Sequence, residues 1–340
     1  MFRMCFRLVV LVVFLCAPIG DSLAQSSIFR EPASYPHDMT YFGCTHRDED
    51  GVCDQVPAPP PDFNPLVGTW MRYSLLRNGF SMQPPDAPNF ITFMEDGYWS
   101  MMEFYPDRPK SDLPLESQKL ADLQRRFHKL AGGFGVYTNS GQINYRHHLA
   151  QLDPGYEGGY IQERAWRFVG NVLVLEGTGP TRSPQIHTRK LPNQKLDSRA
   201  LVGSWERVSY RLNGVDISGP AVTQRLLLGG DGWFMATTLP GGRPAFKDIP
   251  RDEWSVQQYA AAYAGLEASR GTYNADPTRL AVRLIGDADP ALEGRVLTGT
   301  YQLQGIEFVW RGTDAKGRSF VSTYRRLPKF DIYAPLNKSP

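Results

Sequence analysis

Apolar and polar residues alternate along this chain in short runs, separated by turn-forming pairs. Phe90, Thr92 and Met94 alternate with Ile91 and Phe93, while Tyr98, Ser100, Met102 and Phe104 alternate with Trp99, Met101, Glu103 and Tyr105. A period of two is that of a β-strand. Val172–Leu175, Leu226–Leu228 and Phe308–Trp310 are continuous apolar runs. Asn78-Gly79, Asp96-Gly97, Asn213-Gly214 and Asp231-Gly232 predict hairpins, because Asn, Asp and Gly tolerate the left-handed backbone such turns need. Helical spacing interrupts twice. Leu120, Leu123, Phe127 and Leu130 recur between Leu115 and Ala131, and a second stretch starts near Asp248, with Pro250 in its first turn and Trp254, Ala261 and Tyr263 beyond. Many short strands with no βαβ rhythm predict a mainly β protein of closed antiparallel barrels. Each barrel carries one inserted helix, expected over a mouth or flank.

An internal repeat sets the number of barrels at two. Leu66-Val67-Gly68-Thr69-Trp70 recurs as Leu201-Val202-Gly203-Ser204-Trp205, an offset of 135 (Leu201 against Leu66). Asn78-Gly79, Asp96-Gly97-Tyr98 and Arg108-Pro109 recur at the same offset as Asn213-Gly214, Asp231-Gly232-Trp233 and Arg243-Pro244. One inserted residue later, Gly135-Val136-Tyr137, Glu157-Gly158 and Arg189-Lys190-Leu191-Pro192 match Gly271-Thr272-Tyr273, Glu293-Gly294 and Arg325-Arg326-Leu327-Pro328. Self-similarity held over this many separate motifs signals duplication.

The opening residues change the picture at the N-terminus. Arg3 and Arg7, the apolar stretch Leu8–Cys16 and the small-x-small Ser22-Leu23-Ala24 predict a signal peptide cleaved after Ala24 and a periplasmic or secreted protein. That apolar stretch is too short to span a bilayer, and no later one approaches the length required. The organisation expected is a signal peptide (1–24), an extension (25–64), barrel one (65–192), a linker (193–199), barrel two (200–328) and a tail (329–340). Within the extension, Cys44 and Cys53 are expected to form a disulfide in an oxidising compartment, and Pro57–Pro61 to form a semi-rigid arm. With 37 basic and 35 acidic residues, charge gives no reason to expect nucleic acid as a partner. The acidic residues near His46 complete no metal-ligand set. Phosphate-loop, serine-hydrolase, zinc-protease and dinucleotide motifs are missing from the sequence, so no cofactor is expected.

Leu66–Trp70, Asp96–Tyr98, Arg108-Pro109, Gly135–Tyr137 and the pair His147-His148 together resemble the bacterial lipocalin-like domain family. The resemblance implies a small up-and-down barrel around a central cavity. Where such domains commonly carry an acidic residue and Ser-Leu-x-Pro after the histidines, this chain has Leu149-Ala150-Gln151-Leu152-Asp153-Pro154. Gly68-Thr69-Trp70 and Gly203-Ser204-Trp205 look like the Gly-x-Trp signature of a closed barrel end. There the indole packs under a basic side chain of the last strand, which implies structural roles for Trp70 and Trp205 with Arg189 or Lys190 and Arg325 or Arg326 as their partners.

Adjacent residues of a strand face opposite ways, so His147 and His148 cannot both line the cavity. Ile143, Tyr145, His147 and Leu149 form the more apolar face and are expected inside. His147 is then the polar group of the pocket, able to hydrogen-bond a ligand or to move a proton near neutral pH. A buried imidazole satisfied by Tyr145, Tyr137 or backbone is the plainer alternative. Tyr98, Phe104, Tyr137, Tyr145 and Trp166 are candidate wall residues, and Glu157 is a candidate carboxylate partner. The function expected is binding of a hydrophobic small molecule. The alternatives are a cofactor-independent isomerase, cyclase or lyase using His147 as acid or base, by analogy with related two-barrel proteins, and a structural role with both cavities filled.

Overall fold

A computed structural model describes residues 64–332 apart from 78–79, 82–88, 129, 155–158, 179–183, 219–221 and 315. The signal peptide, Cys44, Cys53, the proline arm, the Asn78-Gly79 turn and Glu157 therefore lie outside the described residues. Two antiparallel sheets account for the two repeats. The first contains β1 (Gly68–Arg77), β2 (Phe80–Ser81), β3 (Asn89–Phe93), β4 (Tyr98–Phe104), β5 (Leu130–Ser140), β6 (Ile143–Gln151), β7 (Ile161–Val169), β8 (Val172–Glu176) and β9 (Gln185–Lys190). The second contains β10 (Gly203–Leu212), β11 (Val215–Asp216), β12 (Val222–Leu228), β13 (Trp233–Pro240), β14 (Glu267–Ala275), β15 (Arg279–Asp287), β16 (Val296–Gln304), β17 (Glu307–Thr313) and β18 (Ser319–Arg326). Pairing of β1 with β9 and of β10 with β18 closes each sheet into an eight-stranded barrel, with the two-residue β2 and β11 outside the ring.

At one end of each barrel the Gly-x-Trp indole donates to the carbonyl four residues earlier, Trp70 to Leu66 at 2.8 Å and Trp205 to Leu201 at 2.9 Å. Lys190 lies over the Trp70 ring at 5.8 Å and Arg326 over Trp205 at 4.1 Å. Strand parity thus selects the second basic residue of each pair. Arg189 instead covers Tyr73, and Arg325 pairs with Glu307 at 3.0 Å, which corrects the assignment of those two residues to the tryptophans. The signature glycines are dictated by backbone and space. Gly68 and Gly203 have φ of +126° and +142°, a region L side chains avoid, and a Cβ there would meet the Lys190 or Arg326 side chain.

The helices α1 (Leu120–His128) and α2 (Val256–Tyr263) lie between β4 and β5 and between β13 and β14. Each is preceded by a 3₁₀ turn, Leu115–Ser117 and Arg251–Glu253, and Ser255 and Gln258 form a capping box on α2. The helices meet each other between the barrels, where Phe127 stacks on Tyr263 at 3.9 Å. Phe90, Met102 and Phe104 of the first barrel join Trp233, Met235 and Leu239 of the second in the same apolar cluster.

The two repeats embrace about a pseudo-twofold axis, and the repeated motifs form the embrace. Asp231 Oδ2 accepts from Thr69 N, and Asp96 Oδ2 accepts from Ser204 N, each at 2.7 Å. Arg108 donates to the Asp287 and Ala288 carbonyls, and Arg243 donates to the equivalent Gln151 and Leu152 carbonyls. The segment after β18 returns to the first barrel, where Phe330 N donates to Asp96 O and Ile332 enters the core. The segment after β9 does likewise in the second barrel through Gln194 N to Asp231 O and Leu196. This is the geometry of an isologous dimer carried on one chain. Asp231→Ala, a change in the second repeat, should therefore raise hydrogen exchange at the Thr69 amide of the first. A buried donor left unpaired costs about 1–3 kcal/mol, readable in urea unfolding. Loss of protection confined to the second repeat would contradict the reciprocal arrangement.

Candidate functional site

The interior of the first barrel differs in kind from that of the second. Along β6 the buried residues are Asn144, Arg146 and His148, whereas Ile143, Tyr145 and His147 are half-buried and Leu149 is 49% exposed. The interior face is thus the reverse of the one expected, and His147 points outward. Pairing agrees with this: Arg146 sits opposite Tyr137 and His148 opposite Gly135 on β5. Trp99 projects inward from β4, with the Arg146 guanidinium 5.4 Å from its ring and the His148 imidazole edge-on at 4.6 Å. Gly135 makes room for this, since a Cβ there would collide with the His147 carbonyl and crowd the Trp99 indole nitrogen.

Other candidate residues separate in the same way. Tyr137 and Trp166 belong to the barrel-one core, and Tyr137 donates to Met94 O at 2.8 Å. Tyr98 and Phe104 face the second barrel instead: Tyr98 donates to Pro328 O, and the Phe104 ring lies beside Arg108 and Arg270. Neither lines a cavity of its own barrel, because both faces of β4 are covered and alternation alone cannot tell barrel core from interface. Tyr145 lies on the outward face with His147. Glu293, the repeat-two counterpart of Glu157, pairs with Arg108 at 2.7 Å.

Sequence reasoning passed over a cluster of cations. Across from β6, strand β7 brings Gln162 opposite Arg146 and Arg164 opposite Asn144. Arg146 is 2% exposed and His148 3%. Nearby carboxylates are engaged elsewhere: Glu103 by Arg72 at 2.5 Å and Asn89 at 3.2 Å, and Asp153 by Arg251. Among the described residues neither Arg146 nor Arg164 makes an ion pair. Burial and the neighbouring Arg164 pull the Arg146 guanidinium down to about 9. Burial first, then Arg146, pushes His148 down to about 4, so its imidazole is neutral at physiological pH. Gln151 Nε2 faces His148 Nδ1 at 3.0 Å; with Nδ1 accepting, the proton sits on Nε2. Tyr160 stacks on the imidazole at 4.2 Å and bonds Gln151 at the barrel mouth. The Gln162 side chain also hydrogen-bonds His148, whereas three buried nitrogens here have no hydrogen-bond partner: Arg146 Nε, Arg164 Nε and Trp166 Nε1.

The second barrel shows what the same scaffold looks like without these groups. Register places Leu280, Val282, Leu284, Leu297 and Gly299 where the first barrel has Asn144, Arg146, His148, Gln162 and Arg164. Trp205, Tyr301, Phe308, Trp310, Phe320 and Tyr324 fill that interior and are buried. A cleft of about 400 Å³ also opens between the barrels, lined by Asp96, Asp231, Lys190, Arg199, Arg326 and Lys329. Its two aspartates are already taken by the cross-barrel amides and its Lys190 and Arg326 by the tryptophans, so it belongs to the embrace.

The fold defines a tandem closed β-barrel protein with one polar and one filled interior. No family model and no curated protein sequence matches the chain. Solved structures similar to it include a redesigned β barrel (13% identity, TM-score 0.24, covering 40% of this chain and 98% of that one). An asparagine-to-alanine variant of the fluorescent protein UnaG also matches (16%, 0.21, 37% and 96%). So does a DUF3598-family protein of unknown function from Nostoc punctiforme (13%, 0.18, 77% and 96%). Likeness this distant adds nothing to what the strands show by themselves.

His148 gives the site a pH signature. Its folded pKa lies below the ordinary 6.5, so the folded state resists protonation. The associated stability is complete above about pH 6.5 and lost as pH falls toward 4, a difference on the order of 2–3 kcal/mol. His148→Leu, which installs the residue found in barrel two, should flatten the fall in urea-unfolding free energy over that window. An unchanged slope would show that His148 is protonated as readily in the folded protein as in the unfolded one.

Proposed function

We propose that this protein binds a hydrophobic small molecule inside its first barrel, in the manner the lipocalin-like resemblance implies, while the second barrel serves as scaffold. The observation that carries the reading is the contrast between the two interiors. Met101, Arg164, Trp166, Phe168 and Ile186 belong to the lining of barrel one yet are only half-buried, so the lining is within reach of solvent. In barrel two, aromatics at other positions of the lining close on one another, with Phe308 stacked on Tyr324 at 4.7 Å and Trp310 edge-on to Phe320 at 4.9 Å, and Tyr301, the counterpart of Trp166, is buried. A concave, largely apolar lining with a few convergent polar groups is the form of a small-molecule site. The enzymatic alternative rested on His147 as an interior acid or base, and that residue stands on the outer face.

The neutral dye Nile red tests this, since its uncharged ring system asks only for an apolar cavity. It should bind at one site per chain, and Ile186→Trp, which fills the first barrel, should weaken it at least tenfold while circular dichroism stays unchanged. A dye that does not bind, or binds the filled variant equally well, would remove the reading.

A further inference from the structure

We propose that the molecule held in the first barrel carries a carboxylate, inserted head first and received by Arg146 and Arg164; this deepens the small-molecule reading above and rests on it. Three independent observations converge on a negatively charged oxygen group.

The first is the polarity of the unsatisfied groups. Arg146 Nε, Arg164 Nε and Trp166 Nε1 all lie buried without a partner, and every one of them is a donor. Asn144 Oδ1, two residues deeper on β6, is left over as an acceptor but cannot satisfy three donors. An orphaned buried donor costs about 1–3 kcal/mol, more when charged. A ligand rich in acceptors satisfies them together.

The second is the charge. Two guanidiniums without an ion pair share the interior with a third, Arg72, which together with Asn89 holds the carboxylate inside the same barrel, Glu103. Buried charge is tolerated where something pairs with it. A guanidinium offers a planar fork of N–H groups that matches a carboxylate bidentately.

The third is the duplication, which acts as an internal control. Barrel two closes in the same topology with Val282, Leu284 and Gly299 at the positions of Arg146, His148 and Arg164. The cations are therefore not demanded by the fold. Orientation follows from position: Arg146 is the next inward-facing residue of β6 beyond His148, over which Tyr160 stacks at the entrance. A carboxylate at that depth leaves its tail running toward the mouth.

The test compares hexadecanoate with hexadecan-1-ol, two chains of equal length differing in head group, by tryptophan fluorescence titration of the full chain. The wild type should bind the acid about 10- to 100-fold more tightly, the range expected for hydrogen bonds to a charged group. Arg146→Met should lose that preference while still binding the alcohol. Its ligand-free melting temperature should rise, because an unpaired buried charge has been replaced by an apolar chain of similar reach, and hexadecanoate should stabilise the wild type alone. Should Arg146→Met not fold, Arg164→Gln must lose the preference and Arg146→Lys must keep part of it. Equal wild-type affinity for acid and alcohol, with Nile red still bound, would overturn the carboxylate assignment and leave the small-molecule reading intact. Failure of acid, alcohol and dye alike would overturn both.

Discussion

The structure turns on two carboxylates that reach out of their own barrels. Asp96 and Asp231 each leave an Asp-Gly turn and accept the backbone amide at the start of the other repeat's Gly-x-Trp strand. Asp96 also accepts from the Ser204 hydroxyl at 2.8 Å; burial pushes its carboxyl above the usual carboxylate range, and these bonds offset only part of that rise. The amide each aspartate satisfies lies at the closed end, where the chain enters the ring. Without the crossing carboxylate each entry would leave a buried N–H unsatisfied. Neither barrel is therefore complete alone, and the Arg108 and Arg243 clasps and the exchanged segments around Leu196 and Ile332 follow the same axis.

This constraint explains why the repeat was so legible in the sequence and why its meaning was less so. A pseudo-twofold interface requires the same residues twice, so Asp-Gly and Arg-Pro recur at one offset and Leu-Pro at that offset plus one residue. Each has a local explanation, as a hairpin dipeptide or a helix start, that is true but partial. That Asp96 also serves Ser204, 108 residues away, leaves no trace in neighbouring residues. The strands and the duplication could be read from periodicity and self-similarity, whereas the relation between the copies required coordinates.

The candidate site was misread for a different reason. Period-two alternation locates a strand but names its inner face only if inside means apolar. On β6 that premise fails: Asn144, Arg146 and His148 line the barrel while Leu149 stands exposed. On β4 it fails because both faces are covered, Trp99 by its own barrel and Met102 by the other. A signal was nevertheless present. Comparing the copies position by position, where Arg146 meets Val282 and His148 meets Leu284, singles out the polar substitutions against a shared framework.

Duplication also changes what the first barrel can tolerate. Two guanidiniums without ion pairs inside one barrel oppose folding, and an isolated barrel of ordinary marginal stability has little to set against them. Here the first barrel shares a core with the second through Phe90, Met102 and Phe104 against Trp233 and Met235, and through stacked helices. The second interior meanwhile is packed with aromatics, and its guanidinium, Arg207, pairs with Glu267 at 3.6 Å. Stability gathered in one copy and at the shared face is thus available to offset a destabilising interior in the other, the usual opposition between a stable fold and a strained site. The polarity of barrel one and the filling of barrel two are two sides of a single arrangement.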